Sequence, residues 1–435
     1  MQKSWLGRAA ALVVVGSACA VACNDGDGGG GSSSSSSGGT SSSSSSTGGS
    51  SSSSTGGSSG MSSSGGTNYT PAQLTAARRA LPALGTLAPP NPRPRPPSPS
   101  PGTLPTLGAD AEYPAMARPI VLGINGQITA LVNALRNLAD NLEPTVYNSE
   151  THEFLWGPLP DNDSPLAGDS VEVYVRENVP QGDKPFRYEY ALLRGMGTDQ
   201  ATFRMVIWGG ANPDATNEDY GSGVTLWDFE ANKAWLDVNA PAHGTVTRGR
   251  FVALYIRGPD QQTPTNVNTI VLANLHAFVP EDNPTAAPVT LDHLYGHVQD
   301  TVASHTVDFV DIAATGDIMK TDGGVVDETL DIRLAFFNAG LGRGEATVTG
   351  GDLGTSVLNG VECWDATVNR TYYDLQADTG ADAGPTTILT EGTVDACGAT
   401  FSQTLDALHV PSLAAVDAAL LQALRNAAAN GIPQP

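Results

Sequence analysis

Residues Val171-Glu172-Val173-Tyr174-Val175-Arg176 alternate apolar and polar side chains, and Phe186-Arg187-Tyr188-Glu189-Tyr190-Ala191-Leu192 repeats the pattern. A period of two sends successive side chains to opposite faces, so each run reads as a half-buried strand. The pattern continues at Phe203 to Ile207, Val224 to Phe229, Phe251 to Ile256 and Ile270 to Phe278. It resumes at Val307 to Ile312, Leu330 to Phe336, Arg343 to Thr349 and Val361 to Leu375. Gly, Pro, Asn and Asp cluster between the runs. The spacing predicts about ten to twelve short strands in antiparallel meanders. The expected fold class is therefore mainly β: an antiparallel curved sheet or open barrel. A β-sandwich is the alternative.

Two helical patterns flank the strands. Ile120, Ile124, Ile128, Leu131, Leu135, Leu138 and Leu142 recur at steps of three and four, with Val132 widening the stripe. This predicts one long N-terminal helix, Ile120 to Leu142, packed on or across the sheet. Gly123 and Gly126 weaken its start. At the other end, Ser412 is a candidate cap for a C-terminal helix. Leu413, Val416, Leu420 and Leu424 would line one face of it to about Ala429. Residues 118–435 thus read as a single β-rich globular domain.

The N-terminus reads as an export signal. Lys3 and Arg8 are followed by an uncharged stretch, Ala9 to Ala22, too short for a membrane span of ~20 apolar residues. Ala20-Val21-Ala22-Cys23 supplies the small residues and cysteine of a lipobox and leads directly into polar sequence. Gly16-Ser17-Ala18-Cys19 is the alternative frame. Residues 1–22 are then the signal peptide, Cys23 the lipidated residue and Cys19 its rival. An ordinary cleavage after Ala20-Val21-Ala22 is a further reading.

Residues 23–117 read as a tether. Asp25 to about Gly66 is almost entirely Gly, Ser and Thr, which cannot bury enough apolar surface to order. A flexible coil of that length spans roughly 35 Å. Ala88 to Pro105 is proline-rich, and extended polyproline II would add roughly 50 Å of stiffer reach. Between them, Thr70-Pro71-Ala72-Gln73 has the pattern of a capping box, predicting a short helix over residues 71–81 that stops at Pro82. Alone it would be marginal and is expected to fray.

The end of the signal at Ala20 to Cys23 and the Gly/Ser tract behind it resemble the uncharacterised lipoproteins of myxobacteria and similar GC-rich bacteria. The resemblance is one of architecture and composition and covers roughly the first 70 residues. It implies an outer-membrane lipoprotein, periplasmic or surface-exposed. It implies no activity for the folded part.

Cys363 and Cys397 are the only cysteines beyond the signal. In an exported protein they are expected to form a disulfide. The surrounding Gly340 to Gly344, Gly350 to Leu353, Glu362 to Asp365 and Tyr372-Tyr373 read as tight turns and aromatic packing. His293 and His297 are four apart and would share a helical face; with His305 they make a thin metal trio, read here as solvated loop residues. Asp161, Asn162, Asp163 and Asp169 are weak calcium candidates, as are Asp214 to Asp219 and the pair Asp378 and Asp382. Glu150 and Glu153 precede an aromatic stretch that suggests a sugar platform. Trp156, Trp208, Trp227 and Trp235 read as core strand residues.

No zincin, nucleophile-elbow, Walker or dinucleotide motif is present in the folded part, so no enzyme activity and no cofactor are expected. The 45 acidic against 22 basic side chains leave a net charge of −23, which argues against nucleic-acid binding and against charge-driven adhesion to anionic lipid. The expected role is binding or structural. A carrier holding a hydrophobic ligand in a β-cavity is the alternative, and a hydrolase with an unrecognised site the third reading.

Overall fold

The alternating runs form strands that pair only with their neighbours in sequence. A computed structural model describes residues 69–83, 87–90, 106–161, 166–217, 220–259, 267–281, 283–299, 306–316, 327–337, 340–380 and 384–432. Cys19, Cys23, the signal and most of the tether lie outside them.

Among the described residues, fifteen strands form one open antiparallel sheet. They are β1 (Val146–Asn148), β2 (Glu153–Pro160), β3 (Asp169–Glu177), β4 (Tyr188–Met196), β5 (Asp199–Pro213), β6 (Gly221–Asp228), β7 (Arg248–Pro259) and β8 (Val267–Val279). The series continues with β9 (Val289–Gln299), β10 (Thr306–Gly316), β11 (Glu328–Phe336), β12 (Gly342–Gly350), β13 (Val357–Trp364), β14 (Arg370–Asp378) and β15 (Thr386–Glu391). Their spatial order is their order in the chain. The fold is mainly β, and a single sheet replaces the alternative of a sandwich of two.

The expected ten to twelve strands fall short for identifiable reasons. Strand β9 carries Asp292, His293, Gly296 and His297, so its polar letters conceal a buried strand. Strand β2 contains Pro158 and Pro160 and follows a three-residue edge strand. Val361 to Leu375, read as one run, is the end of β13, a turn and most of β14. Strand β15 is a polar edge with Ile388 exposed.

Helix α1 (Pro71–Arg79) precedes the sheet, as does α2 (Glu112–Asn141). Helix α3 (Phe229–Asn239) joins β6 to β7. Helix α4 (Gly398–Phe401) and helix α5 (Ala418–Asn430) follow the sheet. Among the described residues, no helix is long and apolar enough to cross a membrane.

Cross-strand pairing defines the two faces. Tyr255, Val271, Tyr295, Val310, Leu334, Gly344, Glu362 and Tyr373 stand opposite one another on successive strands and share one face. Helix α2 and the segment after α1 lie on this side. Tyr113 of α2 lies over Gly344 and Gly360, and a Cβ at Gly360 would overlap its hydroxyl. Tyr295 donates its hydroxyl hydrogen to the Leu87 carbonyl at 2.6 Å. At the far end of α2, Trp156 in β2 donates to the Leu142 carbonyl at 3.1 Å. The helix therefore runs crosswise, from β12 and β13 at its start to β2 at its end. Thirty residues of helix span about 45 Å, close to the roughly 50 Å between β2 and β13. Ile128, Val132, Leu135 and Ala139 are buried.

Leu272, Leu294, Asp311, Arg333, Glu345 and Val361 mark the opposite face. The C-terminal segment covers it. Asp311 accepts from the Leu413 amide at 2.6 Å, Glu345 from the Leu405 amide at 3.0 Å, and Arg333 donates to Asp406 at 2.6 Å. Arg425 of α5 donates to Asp292 at 3.0 Å. The sheet is the middle of three layers, which is why the centres of β7 and β8 read as apolar runs rather than clean alternation.

Helix ends differ from the sequence reading. Ser412 starts only a short turn, Leu413–Ala415; Asp417 caps α5 by accepting from the Ala419 and Leu420 amides, and Gly431 ends it. Helix α2 starts at Glu112 rather than Ile120. Helix α1 does not stand alone: both halves of its capping box are present, and Leu74 and Ala77 are buried.

Candidate functional site

A small cleft lies where α1, the end of α2 and the ends of β5, β6 and β7 converge. It encloses about 50 Å³ and is lined by Arg79, Arg136, Arg257, Tyr220, Tyr255 and Pro213, among others. Each arginine comes from a different element. Arg79 is the last residue of α1, Arg136 sits in the last turns of α2, and Arg257 stands near the end of β7 on the α2 face, opposite Gly221. Among the described residues, no carboxylate side chain lines the cleft.

The three guanidinium groups are held differently. Arg136 donates to the carbonyls of Arg78, Leu81 and Pro82 at 3.2, 2.7 and 3.0 Å. Arg79 donates one bond, to the Asp214 carbonyl at 3.0 Å. The Asp214 carboxylate turns back on its own loop, accepting from Thr216 and Asn217. Those bonds hold its carboxyl below the usual range, with a smaller contribution from Arg79. Arg257 has no hydrogen bond or ion pair among the described residues, and its Nε is buried without a partner, as is that of Arg79. Burial pushes the Tyr255 phenol well up, with Arg136 opposing, so it remains a protonated donor.

No family model, curated protein or solved structure matches this chain. The site must be read from its own chemistry.

The sequence-predicted residues are distributed elsewhere. Asp169 is buried and receives Arg194 at 2.9 Å, so its charge is already matched within the protein. Its backbone carbonyl accepts from the Asp161 amide at 3.0 Å; Asn162 and Asp163 lie outside the described residues. Asp378 accepts from the Gly380 amide within its own turn. Among the described residues, no cluster of three or more His, Cys, Asp or Glu side chains is arranged to hold a metal ion.

His293 and His297 lie on β9, not on a helix or loop. Tyr295 stands between them on the same face, so their Cα atoms are about 13 Å apart. His297 is bonded to Asp308 at 2.6 Å. His293 is fully buried, neither ring nitrogen has a partner, and burial lowers it to about 3. His305 lies outside the described residues. Trp156, Trp227 and Trp235 are buried, although Trp235 belongs to α3; Trp208 is half-buried against Phe186. Glu150 sits in the exposed β1–β2 turn.

Cys363 and Cys397 form a disulfide with a Cα separation of 5.3 Å, tying β13 to the C-terminal layer. On that same face, Asp311 and Asp331 are close enough to share a proton. Burial raises the Asp311 carboxyl well above its usual range, reinforced by Asp331. Burial also raises Asp331. Sequence reading missed both this pair and the arginine cleft. Residues 79, 136 and 257 share no local motif; the only available signal was basic side chains in a chain dominated by acids.

Proposed function

We propose that this protein is an exported, lipid-anchored bacterial lipoprotein that displays a β-rich binding domain at the outer membrane, on its periplasmic or outer side. The observation that carries this reading is Ala20-Val21-Ala22-Cys23 followed at once by the long Gly/Ser tract. Lipidation falls on Cys23 in this reading, with Cys19 as the alternative. The Cys363–Cys397 bridge supports it, because disulfides persist in oxidising compartments. The three-layered sheet, with α2 as a crossbeam, serves as a rigid carrier of surface loops and of the arginine cleft.

The filled interior favours display over carriage of a hydrophobic ligand. Trp156, Trp227, Trp364, Tyr190, Tyr295, Phe251 and Phe309 are fully buried. The arginine cleft is far smaller than the ~300–1,000 Å³ usual for a ligand body.

Membrane partition of the full-length protein tests the anchor. The wild type should fractionate with membranes and Cys23→Ser should become soluble. Retention of the Cys23→Ser variant, with release by Cys19→Ser, would move the lipid to Cys19. Retention of the double variant would refute the anchor.

A further inference from the structure

The arginine cleft combines three features that internal packing does not explain. The first is charge. Three guanidinium groups from separate elements line one small space in a protein of net charge −23, and among the described residues no carboxylate lines it with them. Several other buried or part-buried arginines are matched by carboxylates: Arg194 meets Asp169, Arg370 meets Glu362, and Arg250 meets Asp228. Arg136 has Asp140 beside it at 3.7 Å, but that carboxylate stays half-exposed outside the lining.

The second feature is unspent donor capacity. The Nε atoms of Arg79 and Arg257 are buried without acceptors. A buried donor left unmade costs about 1–3 kcal/mol, more for a charged group. Arg257 has no acceptor at all among the described residues. Arg136 is different, because its nitrogens are fixed on three backbone carbonyls. It provides positive potential and holds the wall formed by residues 81 to 83.

The third feature is size. About 50 Å³ is several times the ~10–15 Å³ needed for one water by this measure. It suits one compact polyatomic group and excludes an acyl chain or a fused ring. Guanidinium forks favour planar or tetrahedral oxyanions, to which they donate paired hydrogen bonds. Three cations around one point suit a group carrying up to two negative charges.

We propose that this cleft is a binding site for a single tetrahedral oxyanion, a phosphate or sulfate group, clasped by Arg79 and Arg257 in the field of Arg136. The open side of the cleft lets that group be either a free ion or the end of a larger ester. The assignment deepens the binding role proposed above. It is independent of the anchor, since loss of membrane partition would leave the cleft intact.

Thermal unfolding of the full chain at constant ionic strength, with chloride replaced stepwise by inorganic phosphate or sulfate, tests it. Phosphate should raise the melting temperature by roughly 2–4 °C at ten times its Kd and then with the logarithm of its concentration. Arg257→Gln should weaken that response at least tenfold, and Arg257→Lys should weaken it less. Ala83→Asp, which places a carboxylate in the lining, should abolish the response and needs no loss of an arginine. Glycerol 3-phosphate distinguishes the sources: binding tighter than inorganic phosphate identifies an ester, and weaker binding identifies the free ion. An equal response in wild type, Arg257→Gln and Ala83→Asp, as a general salt effect would give, overturns the proposal.

Discussion

Arg78 and Arg136 each close the C-terminus of the other's helix. Arg78 of α1 donates to the Ala139 and Leu142 carbonyls at the end of α2, at 2.7 and 2.9 Å. Arg136 of α2 donates to the Arg78, Leu81 and Pro82 carbonyls at and beyond the end of α1. The last carbonyls of a helix lack intrahelical partners and carry partial negative charge, so a cation is favoured there. The exchange explains how a helix too short to persist alone is held in place.

Arg78→Ala and Arg136→Ala should each destabilise the protein by about 1–2 kcal/mol. Their effects should be non-additive, because either loss loosens the same pair of helix ends. Chemical denaturation of both single variants and the double variant gives the coupling. Hydrogen exchange should show faster exchange at Ala77 and Ala80 in both single variants; unchanged protection there would contradict the reciprocal cap.

A second capping arrangement gives a larger effect. Ala111 provides no side-chain cap for α2. Glu362 of β13 supplies it instead, accepting from the Glu112 and Tyr113 amides at 2.9 and 2.7 Å and from Arg370 at 2.6 Å. Burial raises the Glu362 carboxyl, opposed by Arg370 and the two amides. Glu362→Ala would leave Arg370 buried without its main partner and should destabilise by about 3–5 kcal/mol. A denaturation midpoint close to wild type would show that Glu112, 3.3 Å from Arg370, compensates.

His293 makes stability depend on acidity. Its folded form is held neutral, lowered to about 3 by burial, whereas the unfolded chain takes up a proton near 6.5. The unfolded state therefore binds more protons between those values, and stability falls as pH falls through that window. At pH 5 the penalty is about 2 kcal/mol. His293→Leu should lose that much less stability than wild type between pH 7 and pH 5. Parallel slopes for the two proteins would dismiss the histidine as the source.

Asp311 has the opposite sign. Its raised carboxyl contributes stability at low pH that is lost as pH rises, because burial and Asp331 oppose ionisation. Asp311→Asn preserves an acceptor for the Leu413 amide and removes the titration. The variant should gain on wild type as pH rises above about 4, the ordinary carboxylate value, read as a widening gap in melting temperature. A constant gap would point to packing alone.

Strands with clean alternation, such as Val171 to Arg176 and Leu330 to Phe336, were legible because one side chain in two meets solvent or polar groups. Strand β9 was not, because Asp292 and His293 look solvent-facing in sequence and are instead buried inside a three-layer stack. The 71–79 capping box was legible as a local signal, but its docking depends on Arg136, more than fifty residues away. The arginine cleft was invisible for the same reason: its members meet only after α1, α2 and β7 have been brought together. Cys363 and Cys397 were legible as a pair because the folded part offers no other cysteine.

The strictly sequential strand order has a consequence for biogenesis. A sheet in which every strand pairs with the one before it can be assembled in the order in which the chain emerges during synthesis. Helix α2 precedes the strands and is available to shelter one side as they accumulate. The other side stays bare until residues 394–432 arrive, and Cys397 can engage Cys363 only then. A chain truncated before residue 394 should therefore aggregate or bind chaperones through that uncovered surface. Its late sealing makes the last tenth of the polypeptide the step that separates a sticky intermediate from a closed fold.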